Sequence, residues 1–183
     1  LQKKQTIETM IRKTFFTAVA AACALFCGIN ASAQEVTPDG TYMFVKRDTC
    51  DLFLDLYKPT KGSETTFEGK QKPTIIFMFG GGFTSGVRDN PRYQIWFKQM
   101  NDLGYNVISI DYRHGLKGTS KVGVAQVNVL DKAIHMAVED LFSATNFIIE
   151  NEEQLGVDPA NLVISGSSAG AISVMQAEYE LAN

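Results

Sequence analysis

What this sequence lacks narrows its reading first. It has three cysteines in 183 residues, and two of them, Cys23 and Cys27, lie in an N-terminal apolar stretch. Cys50 alone is left for a folded domain, so no internal disulfide is available to it. There is no surplus of positive charge: the formal net charge is −3, and residues 34–183 carry 13 basic and 19 acidic side chains, a charge of −6. That balance argues against a nucleic acid or an anionic membrane surface as partner. The apolar run at residues 15–26 is shorter than the about 18 residues that cross a bilayer. Phosphate-cradling loops are missing too. The glycine-rich stretch from Gly80 continues as Ser85-Gly86-Val87, without the Gly-Lys-Ser/Thr of a P-loop. Ser85 also stands where a dinucleotide fingerprint would have its third glycine. There is no internal repeat and no low-complexity segment.

What is present begins with a targeting layout. Arg12 and Lys13 precede the apolar run, and Ala31-Ser32-Ala33 forms a small-x-small site before Gln34. This predicts a secretory signal peptide, cleavage near Ala33/Gln34, a periplasmic or secreted protein, and no stable membrane insertion after cleavage. Residues 1–9 precede Met10 without a hydrophobic pattern and read as upstream sequence, which leaves residues 34–183 as the domain.

Residues 41–45 and 50–57 alternate as two early strands, and residues 58–73 form a polar loop. Residues 74–79, "TIIFMF", are a continuous apolar run, as in a strand buried on both faces. Over residues 91–103, Tyr93, Trp96, Phe97, Met100 and Leu103 fall on one helix face, with Gly104 to cap it. A strand at 105–110 and a helix over about 127–153 follow. That helix has Leu130, Ile134, Ala137, Val138, Leu141, Thr145, Ile148 and Ile149 on its buried side. A turn at "GVDPAN" leads to a strand at 162–165. Alternating strands and helices predict an α/β fold, a three-layer sandwich whose mainly parallel central sheet has helices on both faces.

Two glycine motifs carry the candidate chemistry. "GSSAG" follows the last strand and precedes a helix-compatible segment, the setting of a G-x-S-x-G elbow. In such a turn Ser168 sits strained with its hydroxyl outward, and Gly166 and Gly170 let strand and helix approach. The Ala169 amide, at the helix N-terminus, can then stabilise an oxyanion. "FGGGF", residues 79–83, also follows a buried strand. Three successive glycines weaken any regular element and suit a loop that presents bare N–H groups to developing negative charge.

With these motifs the chain resembles the α/β-hydrolases, in particular carboxylesterase and lipase branches with an "HGGG" or "GGGF" loop. "IIFMFGGGFTSG", "NVISIDYR" and the stretch ending "VDPANLVISGSSAGA" carry the likeness. The resemblance implies that Ser168 is the nucleophile of an ester hydrolase. Gly81, Gly82 and the Ala169 amide would be oxyanion donors, with Gly80 shaping the loop. It implies no metal or cofactor, and a small-molecule or carbohydrate ester as substrate. Phe79 replaces the histidine of "HGGG", which removes a hydrogen bond that braces the loop. Ser167 and Ala171 depart from residues common beside the nucleophile.

The family's order is Ser, then Asp or Glu, then His. The 15 residues after Ser168 contain neither His nor Asp, and Glu178 and Glu180 fall too soon after the elbow. His114 reads as a loop residue at the site's edge and His135 as a partly buried helix residue. Asp111, Tyr112 and Arg113 read as structural bracing. The expectation is therefore the N-terminal part of a longer hydrolase, inactive alone. Two alternatives stand beside it: a peptidase of the prolyl-oligopeptidase-like branch, and a non-catalytic hydrolase-fold binding protein.

Overall fold

The computed structural model describes residues 36–119 and 127–182. The expected signal peptide and its cleavage site lie outside the described residues. Five strands make the main sheet: β1 (Gly40–Lys46), β2 (Asp51–Tyr57), β5 (Thr74–Met78), β6 (Asn106–Ile110) and β7 (Leu162–Gly166). Their spatial order is β1-β2-β6-β5-β7. β1 pairs antiparallel with β2, and β2 with β6; β6, β5 and β7 run parallel. The sheet is thus mixed, and its parallel part carries both glycine motifs at its C-terminal edge.

Every residue of β5 and β6 is buried, as a parallel strand covered on both faces requires. Burying each large aliphatic or aromatic side chain here contributes roughly 1.5–3 kcal/mol. Successive side chains alternate between faces. On one face Phe77 meets Tyr93, Trp96 and Phe97 of helix α1 (Pro91–Asp102), with ring centroids 4.9–5.4 Å apart, and Tyr57 meets Phe97 at 5.0 Å. The other face is left to α2 (Val127–Glu150) and α4 (Ala169–Ala182), which pack on each other.

Local signals set the helix ends. Asn90 caps α1 by accepting from Arg92 N at 3.0 Å, and Pro91 occupies the first turn. Gly104 ends it at φ 85°, where a Cβ would lie 1.8 Å from the Glu64 carbonyl oxygen, so only glycine fits. Leu103, expected on the buried face, is 57 % exposed, because it lies in the cap beyond the last turn. Ile149 is likewise exposed: adjacent helical residues point about 100° apart, and Ile148 takes the core position. The long helix stops at Glu150, and α3 (Glu152–Leu155) follows as a separate turn closed by left-handed Gly156.

The polar loop at 58–73 contains a small hairpin, β3 (Thr66–Phe67) and β4 (Lys70–Gln71). Its turn residues Glu68 and Gly69 both have positive φ, the geometry of a tight two-residue hairpin. Two residues per strand are too few for a readable alternation.

Candidate active site

Between β7 and α4 the backbone turns sharply, and Ser168 takes φ 50°. A left-handed conformation costs a residue with a Cβ about 1–2 kcal/mol, so the surroundings must impose it. They do so through backbone contacts. A Cβ on Gly166 would lie 2.5 Å from the Gly170 carbonyl carbon, and one on Gly170 would lie 2.2 Å from the Met78 carbonyl oxygen. Strand, helix and β5 therefore approach to the limit that glycine allows. Gly170 N donates to Ser167 O at 2.9 Å and Ser167 N to Met78 O at 3.0 Å, which ties the turn to the sheet. Ser168 is exposed, and among the described residues its hydroxyl has no hydrogen-bond partner.

The glycine loop reaches the same place. A Cβ on Gly80 would sit 2.9 Å from Ser168 Cβ and 2.9 Å from Ser167 O. Gly82 and Phe83 follow at φ 61° and 59°. The strain falls on Phe83, since glycine takes positive φ freely, and strained residues cluster at functional sites when neighbouring structure over-determines them. The Gly81 carbonyl accepts from Thr84 N at 3.1 Å, Ser85 N at 3.2 Å and Thr84 Oγ1 at 2.9 Å. Among the described residues no carbonyl takes the Gly81 or Gly82 N–H, and Ala169, first in α4, has no intrahelical acceptor. The three amides named from the motifs lie in bends that touch.

Side chains hold the rest of the loop. Phe83 is buried, and its carbonyl accepts from Leu116 N at 2.9 Å. Arg88 bridges buried Asp55 at 2.9 Å and Asp111 at 2.8 Å, and its carbonyl accepts from Ser109 Oγ at 2.7 Å. At the loop's start Tyr112 Oη donates to Phe79 O at 2.8 Å, and Gly80 N donates to Tyr93 Oη at 3.1 Å. None of these anchors except the bracing role of Asp111 and Tyr112 is foreseen from the sequence. A second network lies further off. Asp140, fully buried on α2, accepts from Arg113 N and Nε at 2.9 Å and pairs with Arg47 at 2.9 Å. Its trace in the sequence is a lone carboxylate within the apolar stripe of α2.

Neither histidine hydrogen-bonds to Ser168. His114 packs edge-on against Phe79 and Tyr112, with centroids 5.8 and 5.7 Å away, and its Nε2 is buried without a partner. Burial, and next the charge of Lys117, push its pKa below the usual 6.5. It lines a cavity of about 510 Å³ with Cys50, Arg88, Asp111 and Arg113, to which Ser168, Gly81, Gly82 and Ala169 do not contribute. His135 is 51 % exposed rather than partly buried, and its Nδ1 lies 2.9 Å from Glu180 Oε1. Glu180 is eleven residues beyond Ala169, roughly 17 Å along α4. Among the described residues no group of three His, Cys, Asp or Glu is placed to hold a metal ion.

The strand order, the strained serine turn after β7 and the glycine loop after β5 define an α/β-hydrolase of the esterase and lipase class. Within that class the chain belongs to the BD-FAE family, which it matches over residues 54–180. It is 30 % identical over 125 residues to gut esterase 1 of Caenorhabditis elegans, covering 68 % of this chain and 20 % of that protein. Secreted lipase 1 of Botryotinia fuckeliana is 25 % identical over 95 % of this chain and 31 % of its own length. Among solved structures, the esterase Est2 of Thermogutta terrifontis superposes with a TM-score of 0.55 at 26 % identity, over 78 % of this chain and 44 % of that one. The chain thus spans about a fifth of the gut esterase and under half of Est2.

Proposed function

We propose that these residues belong to an exported serine hydrolase that cleaves carboxylic esters through an acyl-enzyme. The observation that carries this reading is the contact between the two bends: no side chain fits between Gly80 and the Ser168 Cβ. Ser168 Oγ attacks the ester carbonyl carbon while a histidine takes its proton. The carbonyl oxygen gains the negative charge and is held by the N–H groups of Gly81, Gly82 and Ala169. The C–O bond to the alcohol then breaks, the histidine returns the proton to the leaving alkoxide, and Ser168 carries the acyl group. Water, activated by the same histidine, releases the acid.

His114 and His135 are both held elsewhere, so this reading assigns the base to a histidine outside residues 1–183. The substrate class is a small-molecule or carbohydrate ester, supported by the esterases and lipase among the relatives. Export is supported by the charged, apolar and small-residue succession over residues 12–33 and by likeness to a secreted lipase over 95 % of the chain. In the described residues no helix is long and apolar enough to cross a membrane.

The test uses the full-length protein, p-nitrophenyl acetate and a fluorophosphonate probe. Ser168→Ala is expected to abolish labelling and to lower kcat by about 10⁴-fold or more. Labelling that survives the substitution removes Ser168 from its role, and faster turnover of dipeptide anilides than of esters replaces the esterase with a peptidase.

A further inference from the structure

We propose that Tyr93 and Tyr112 are positioning residues for the oxyanion loop, which together grip the Phe79–Gly80 peptide by both of its polar atoms. The inference rests on the reading of Ser168 as nucleophile and extends it to the parts that aim the amides. Tyr112 Oη donates to the carbonyl of that peptide, and the N–H of the same peptide donates to Tyr93 Oη. The two phenols come from different elements, Tyr93 from the first turn of α1 and Tyr112 from the segment just after β6.

Three consecutive glycines leave a loop with little intrinsic stiffness, and bare amides stabilise an oxyanion only when their direction is fixed beforehand. A peptide plane held at one atom can still rotate about its flanking bonds. Held at both C=O and N–H, it cannot turn without breaking a hydrogen bond. Phe79 has no polar side-chain group to supply such a bond, so the bracing enters through its main chain.

The grips are themselves rigid. The Tyr112 ring stacks on Phe79 with centroids 4.5 Å apart and 27° between planes, and Tyr93 packs on Phe77 at 4.9 Å. Burial raises the Tyr112 pKa, and Tyr93 nearby adds to this, so its hydroxyl remains a donor. The position that a Gly80 Cβ would occupy is 3.2 Å from Tyr93 Oη and 2.9 Å from Ser168 Cβ. The phenol and the nucleophile therefore flank one spot. Gly80 N–H, spent on Tyr93, is not an oxyanion donor; it sets the start from which the Gly81 and Gly82 amides are aimed. At the other end, the hydrogen bonds from Thr84 and Ser85 to the Gly81 carbonyl fix the turn.

The test compares the full-length protein with Tyr93→Phe, Tyr112→Phe, the double variant and Ser168→Ala. Each single phenylalanine keeps the ring and is expected to lower kcat on p-nitrophenyl acetate about tenfold with KM unchanged. Because both phenols hold one peptide plane, the double variant should lose little more than either single one, and not their product. A kcat within twofold of the parent for both single variants, with Ser168→Ala inactive, overturns the proposal; turnover retained by Ser168→Ala overturns the nucleophile assignment instead. Hydrogen exchange in the unsubstituted protein gives an answer that needs no variant. The Gly80 amide should exchange more slowly than those of Gly81 and Gly82, and equal rates would overturn the clamp.

Discussion

The two glycine-rich bends that meet at Ser168 are held in opposite ways. At the serine turn the contacts are all main chain, within the turn and across to β5: Gly166 against Gly170, and Gly170 against the Met78 carbonyl. The loop after β5 is held by side chains that arrive from elsewhere: Tyr93 from α1, Tyr112 and Asp111 from beyond β6, Asp55 from β2. Damage to the turn should therefore be all-or-none, since a single added carbon has nowhere to go. Damage to the loop should be graded, because each anchor holds only a share. The difference also separates what a short motif can specify from what a whole fold must supply.

The largest effect should come from breaking the turn. Gly170→Ala places a Cβ against backbone that no rotamer change can move, so α4 must shift away from β5. A displacement near 1 Å at the reacting groups costs about 100-fold, and kcat for ester hydrolysis in the full-length protein should fall by at least that. A loss below tenfold would mean that the turn has more slack than its contacts indicate. Removing one anchor should do less to rate and more to stability. Arg88→Ala strands the Asp55 carboxylate, which is buried and otherwise bonded to Thr41 Oγ1 at 2.6 Å. The expected costs are about 3 kcal/mol in urea unfolding and a fall in kcat near tenfold, with the loop loosened at its far end but still gripped at Gly80.

The smallest effect concerns pH. His114 keeps its imidazole neutral below the usual 6.5 because burial opposes the charge. The unfolded chain binds that proton first, so the stability is present above about pH 6.5 and is lost as pH falls through the lowered folded value. His114→Phe keeps an aromatic ring against Phe79 and Tyr112 without a titrating group. It should flatten the decline in urea midpoint between pH 7 and pH 5, and an unchanged decline would assign that slope to other groups.

The same contrast explains what could be read in advance. Residues 74–78 announce a strand buried on both faces because covered strands need unbroken apolar runs, whereas 106–110, with Asn106 and Ser109, announces a strand but not its burial. The serine turn is legible because its requirements fall within five consecutive residues. Arg88, Asp55 and Asp140 gave no such signal. Their ion-pair partners are 23 to 93 residues away in the chain, and only the fold brings them together. The stop at Glu150 and the exposure of Leu103 and Ile149 were hidden for another reason. Periodicity marks a face but says little about its last turn, where caps decide. His135 misled in the same manner, since its helix position suggested partial cover while the fold leaves it beside Glu180 at the surface.

The left-handed conformation at Ser168 has a consequence of its own. Released from the sheet, the same peptide would relax to an ordinary helix start, and its hydroxyl would lose its outward aim even if α4 stayed coiled. On the proposed role of Ser168, its reactivity becomes a gauge of tertiary integrity: a covalent probe should fall silent while helical circular dichroism still reads close to normal.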